Sequence, residues 1–154
     1  MRSSAILDRL VLASGRLGAT DLFHENIRRR GIPGQLYLLL FGTPNLGSYA
    51  NGYYLRQALK QVSPKRVLDA GCGDGTFTFY VAQRLPEASV LGVDIGEQGL
   101  HSSESTLDTC ARIQKQLKFP NVRFQKLDLC ELDMPDAFDF VYSFDVLEHI
   151  ADNR

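Results

Sequence analysis

The stretch VLDAGCGDGTFT, residues 67–78, decides how the rest of the chain is read. It passes from an apolar run through one carboxylate, Asp69, into three alternate glycines, Gly71, Gly73 and Gly75. A short apolar run closed by glycines reads as a buried strand that stops at a tight turn. Glycines at that turn let the backbone bend sharply and let a ligand approach main chain with no Cβ intervening. The spacing is G-x-G-x-G, and Thr76 stands where a dinucleotide fingerprint wants its third glycine. Asp69 before the loop and Asp74 within it would repel a pyrophosphate, so the loop suits a ligand with a cationic part.

Outward from this stretch the pattern alternates. Residues 66–70 read as a strand, 76–86 as a helix, 89–95 as a strand, 100–117 as a helix, and 122–129 and 138–144 as two further strands. A β-α-β-α-β order predicts an α/β fold with a parallel sheet, right-handed crossovers and helices on both faces. Ligands on such sheets bind beyond the carboxyl ends of the strands, which is where the glycines stand. Upstream, near-helical apolar spacing within residues 4–30 ends at RRRGIPG, and a second helix is predicted over 48–62. Residues 1–62 are therefore expected to form an N-terminal helical segment, and 63–154 an α/β domain. Tyr37, Tyr49, Tyr53 and Tyr54 could line an acceptor cavity or simply pack between helices.

Composition narrows the partners. The chain has 154 residues, 44% hydrophobic and 23% charged, with a formal net charge of −1, which lacks the basic footprint of a nucleic-acid binder. The longest apolar run, LYLLLF at 36–41, falls far short of the roughly 20 residues that cross a bilayer, so no membrane partner is expected. Asp8 and Arg9 interrupt what would be the core of a secretory signal. Cys72, Cys110 and Cys130 show neither zinc spacing nor a disulfide framework, which fits reduced thiols and a cytoplasmic location.

Four segments taken together, VLDAGCGDG, VLGVDIG, FQKLDL and FDFVYSFDVLEHI, closely resemble the cofactor-binding motifs of class I S-adenosylmethionine-dependent methyltransferases of the small-molecule type. The resemblance covers residues 65–150 and implies a Rossmann-like, doubly wound parallel sheet with S-adenosylmethionine as the cofactor. It implies that Gly71, Cys72, Gly73 and Gly75 form the loop against the methionine part, with Asp69 attracting its ammonium directly or through water. Asp94 would accept the ribose hydroxyls and Ile95 would pack on the adenine. Asp128 would accept the adenine amino hydrogens, the Leu129 amide would donate to a ring nitrogen, and Ser143 and Phe144 would border the methionyl group.

Chemistry at the acceptor needs few side chains, because the cofactor carries its own activation. In DVLEHI, Asp145, Glu148 and His149 fall at i, i+3 and i+4 and would share a face if the segment were helical. His149 is the candidate base, since an imidazole with a pKa of about 6.5 suits proton removal near neutrality. No metal is expected. The alternatives for the three residues are an acidic-acidic-histidine metal set, as in some quinone-pathway O-methyltransferases, and a purely structural role.

Class I folds carry further strands after the fourth, so the resemblance implies a sheet incomplete at the C-terminus and a chain that is a fragment of a larger enzyme. The expected function is methyl transfer to a small-molecule acceptor. The other possibility is a non-catalytic S-adenosylmethionine-binding or assembly module, completed by a partner chain or self-associating through an exposed sheet edge.

Overall fold

Arg66–Ala70 lies inside a parallel four-stranded sheet, in keeping with the burial of Val67, Leu68, Asp69 and Ala70 on both of its faces. The computed structural model describes residues 46–97 and 105–150. These divide into two units, with the boundary between Gln61 and Val62. The first unit contributes α1 (Leu46–Leu59), which starts two residues earlier and ends three earlier than the periodicity predicts. The helix predicted within 4–30 lies outside the described residues, as do Tyr37 and the side chain of Tyr49. Tyr53 and Tyr54 are exposed and pack edge to face, ring centroids 5.6 Å apart. No helix among the described residues is long and apolar enough to cross a membrane.

The second unit runs β1 (Arg66–Ala70), α2 (Thr76–Arg84), β2 (Ser89–Asp94), α3 (Thr106–Leu117), β3 (Val122–Lys126) and β4 (Phe140–Tyr142). Short 3-10 turns occupy Leu129–Glu131 and Leu147–His149. The strands order as β3-β2-β1-β4, all parallel, with Leu68 level with Leu91 and Val141, and Gly92 level with Phe124. The order reverses beside β1, so the crevice beyond its carboxyl end is the switch point at which open α/β sheets bind ligands.

Local chemistry explains the helix starts. The Asp74 carboxylate accepts the Thr76 N–H at 3.0 Å and the Thr76 hydroxyl at 2.7 Å, satisfying an amide that α2 leaves unpaired at its first turn. Ser105 caps α3 by accepting from Asp108 N at 3.1 Å, while its hydroxyl donates back to the Asp108 carboxylate at 2.8 Å. Lys118, at φ +54°, closes α3 in the left-handed region.

The two faces of the sheet are covered differently. Helix α2 packs on β2 and β3, and α3 on β3, with Phe79 set against Phe119 and Phe124 at centroid distances of 5.7 and 5.3 Å. On the other face Leu68, Ala70 and Val93 pack with Leu91, Leu127, Leu129, Leu132 and Phe138. Among the described residues of this unit, helices cover the first face and the β3–β4 connection packs on the second. Leu127, Leu129 and Leu132 recur without helical period in that connection, so it covers the sheet as an extended segment with one tight turn. Strand β3 stops at Lys126 rather than 129: Leu127 N makes the last bond to β2, at the Asp94 carbonyl, and Asp128 then caps the 3-10 turn. Val141 on β4, level with Leu68, is 56% exposed at the edge of this face.

Candidate cofactor site

The three loop glycines all have positive φ, +82° at Gly71, +52° at Gly73 and +77° at Gly75, a region that side chains rarely adopt. Their surroundings differ. A Cβ on Gly71 would overlap the side chain of Val146, and one on Gly75 would lie 2.9 Å from Cys110 Sγ and 3.0 Å from Phe124 and Phe79. A Cβ on Gly73 would meet nothing within 4 Å, so of the three glycines Gly73 opens onto free space.

The loop amides are satisfied by the chain itself. Gly71 N and Cys72 N both donate to the Val93 carbonyl, at 2.8 and 2.9 Å, and Gly75 N donates to the Cys72 carbonyl at 2.9 Å. Gly73 N donates to Asp94 Oδ2 at 2.9 Å. The other oxygen of that carboxylate accepts from Gly96 N at 2.8 Å and from the Thr106 hydroxyl at 3.0 Å. Asp94 is half-buried at the carboxyl end of β2, and the adjacent Ile95 leaves 46% of its surface open.

Asp69 lies deeper than a ligand-facing carboxylate. It is 3% exposed and its Oδ2 accepts from the Thr78 hydroxyl at 2.6 Å and the Tyr142 hydroxyl at 3.0 Å. Burial pushes its pKa up to about 7; the Thr78 and Tyr142 hydrogen bonds oppose that rise, and the charges of Asp74 and Asp94 add to it. Tyr142 is raised well above the usual phenol value, by burial first and by the Asp69 charge second. Cys72 is also inward-facing, with its thiol beside the backbone of Gly92. A hydrogen bond with the Cys110 thiol, then burial, pushes the Cys72 thiol up. Both thiols donate to the Gly73 carbonyl, at 3.9 Å from Cys72 and 3.3 Å from Cys110.

Asp128 is exposed and uses Oδ1 to accept Cys130 N at 2.9 Å, capping the 3-10 turn that starts at Leu129. Leu129 packs its side chain into the second-face cluster. Ser143 follows β4, and its buried hydroxyl has no hydrogen-bond partner among the described residues. Phe144 packs on Phe77 and Tyr142, with centroids 5.1 and 5.6 Å away.

The helical face expected for Asp145, Glu148 and His149 does not form. Asp145 takes φ +54°, and only Leu147–His149 winds, as a 3-10 turn. All three side chains are exposed, and no group of three metal-ligating side chains occurs among the described residues. Spacing missed two residues that matter here. Val146 fills the place of a Gly71 side chain, and Thr106 binds the Asp94 carboxylate from the start of α3. Neither belongs to a glycine, carboxylate or histidine pattern.

Acceptor groups gather at this crevice. Asp94 stands at the carboxyl end of β2, Asp128 follows β3 and the Ser143 hydroxyl follows β4, with Asp69 buried behind them near the end of β1. That set fits a ligand presenting an ammonium, ribose hydroxyls and an exocyclic amine, and opposes a pyrophosphate. The profile of a methyltransferase-domain family matches residues 61–154.

The chain belongs to the methyltransferase-domain family. Its parallel sheet and glycine loop are those of the class I, S-adenosylmethionine-dependent type. This methyltransferase domain is 36% identical over 99 residues to trans-aconitate 2-methyltransferase of Deinococcus radiodurans, covering 62% of this chain and 33% of that one. It is 34% identical over 90 residues to a ubiquinone biosynthesis O-methyltransferase of Pseudomonas fluorescens, covering 57% and 34%. The chain thus spans about a third of the length of these relatives. Among solved structures it is similar to phosphoethanolamine N-methyltransferase 2 of Haemonchus contortus in complex with phosphomonomethylethanolamine and S-adenosylhomocysteine. The TM-score is 0.54 at 26% identity, covering 76% of this chain and 26% of that one.

Proposed function

We propose that the chain binds S-adenosylmethionine across the carboxyl ends of β1, β2 and β3 and serves methyl transfer to a small-molecule acceptor in the cytoplasm. The observation that carries this reading is the open face of Gly73 beside the half-buried carboxylate of Asp94. Small acceptors are supported by the named relatives, which act on trans-aconitate and in ubiquinone biosynthesis.

Bound S-adenosylmethionine supplies an electrophilic methyl carbon on a positively charged sulfur that leaves as a neutral thioether. The chain's own residues bind and orient. Asp94 accepts from a ribose hydroxyl at its remaining Oδ2 site, Ile95 offers its exposed side chain to the adenine, and Asp128 and the Leu129 amide take the adenine edge. Gly71, Gly73 and Gly75 hold the loop in its left-handed turns, and Ser143 and Phe144 border the methionyl end. The buried Asp69 acts on the ligand's ammonium through its field or a water. His149, exposed on the last turn, takes the proton of an acceptor hydroxyl at its imidazole. Residues 1–62 are assigned the part of a lid.

Calorimetric titration with S-adenosylmethionine, S-adenosylhomocysteine and NADH tests the assignment. Micromolar binding of the first two and none of the third is expected. Asp94→Ala should weaken binding by about 1–3 kcal/mol, the cost of losing a charged acceptor. His149→Gln should leave cofactor affinity unchanged and slow methylation of a hydroxyl acceptor. Failure of the unaltered chain to bind either adenosyl ligand, or equal binding by Asp94→Ala, would overturn the reading.

A further inference from the structure

Three elements converge on the carboxylate of Asp94. Gly96 N and the Thr106 hydroxyl donate to Oδ1 at 2.8 and 3.0 Å, and Gly73 N donates to Oδ2 at 2.9 Å. A carboxylate has about four lone-pair sites, so both sites on Oδ1 are taken and one remains on Oδ2. The terminal torsion of an aspartate is broad, so the donors around the carboxylate set its direction, and Thr106 adds a third to the two main-chain ones. Of the three donors, Gly96 and Gly73 act through main chain, and Thr106 is the side chain. Thr106 opens α3, whose N-terminus is itself fastened by the reciprocal Ser105–Asp108 bonds at 3.1 and 2.8 Å.

We propose that Thr106 is a positioning residue for ribose recognition: its hydroxyl locks Asp94 so that Oδ2 serves the Gly73 amide and a ribose hydroxyl together. The inference rests on the reading of Asp94 as the ribose acceptor. Its consequence is selective. Losing the Thr106 hydroxyl leaves Oδ1 to the Gly96 amide alone and loosens the carboxylate, which weakens a ligand's ribose bond and leaves its adenine and methionine contacts in place.

The test compares the affinities of S-adenosylhomocysteine and its 2′,3′-dideoxy analogue for the unaltered chain, Thr106→Val and Thr106→Ser. The unaltered chain should prefer the ribose-bearing ligand. Thr106→Val should cut that preference by about fivefold to tenfold, part of the worth of one hydrogen bond to a charged acceptor, with little change toward the dideoxy analogue. Thr106→Ser should restore the preference. If Thr106→Val does not fold, the same ratio measured on Thr106→Ala decides. An unchanged ratio, whether both affinities hold or both fall together, would overturn the proposal and leave the Asp94 reading standing. Equal binding of the two ligands by the unaltered chain would instead overturn the Asp94 reading, and the proposal with it.

Discussion

Gly71 and Gly73 are the same residue, two positions apart, kept free of a side chain by different neighbours. At Gly71 both the backbone at φ +82° and the side chain of Val146 exclude a Cβ; at Gly73 only the backbone at φ +52° does, and the space beyond is open. Gly71→Ala should therefore cost about 1–3 kcal/mol of stability through overpacking and left-handed strain. Adding Val146→Ala should recover the overpacking part of that loss and leave the strain. Urea denaturation of the two single variants and the double variant separates the contributions. Additive losses in the double variant would show that Val146 and Gly71 do not share that space. The glycine pattern was legible in the sequence; the reason for Gly71 was not, because its neighbour lies 75 residues along the chain in the segment after β4.

At the scale of elements, apolar periodicity located the strands and helices of the described residues, while side-chain hydrogen bonds determined where several of them stop. Asn121 shows the second kind of control. Its amide donates to the carbonyls of Ala82, Leu85 and Ala88 at 3.1, 3.2 and 3.1 Å, joining the end of α2, the approach to β2 and the start of β3. Helix-end carbonyls have no partner within their own helix, so this one side chain substitutes for a C-terminal cap. Asn121→Ala should destabilise the chain by about 1–3 kcal/mol, and Asn121→Asp by at least as much, since a carboxylate cannot donate. Thermal unfolding followed by circular dichroism measures both, and an Asn121→Asp variant as stable as the parent would refute the capping role. The DVLEHI segment illustrates the converse, a helical spacing that does not become an α-helix. Asp145 takes the left-handed conformation, so Asp145, Glu148 and His149 never share a face.

Across the whole second unit, Asp69 ties β1, α2 and β4 together through Thr78 and Tyr142, and its burial makes stability depend on pH. The carboxyl has an ordinary value of 3.8 and rises to about 7 in the folded chain. Between those values the native state keeps a proton that the unfolded state has released, so the contribution of Asp69 to stability is fullest below about 4, falls as pH rises toward 7, and then levels. Melting temperatures of the parent and Asp69→Asn across this range should converge at acid pH and separate as pH rises, with the parent losing more. Parallel curves would place the titration elsewhere. The sequence by itself determined the α/β class, the parallel strand succession, the family and the carboxylates at successive strand ends, because these follow from local periodicity and from motifs contiguous in the chain. Only the tertiary structure decided that Asp69 is buried, that Val146 rests on Gly71 and that Thr106 holds Asp94. Those are contacts between residues brought together by the crossovers and by the turn after β4, and no spacing along the chain encodes which side chains meet there.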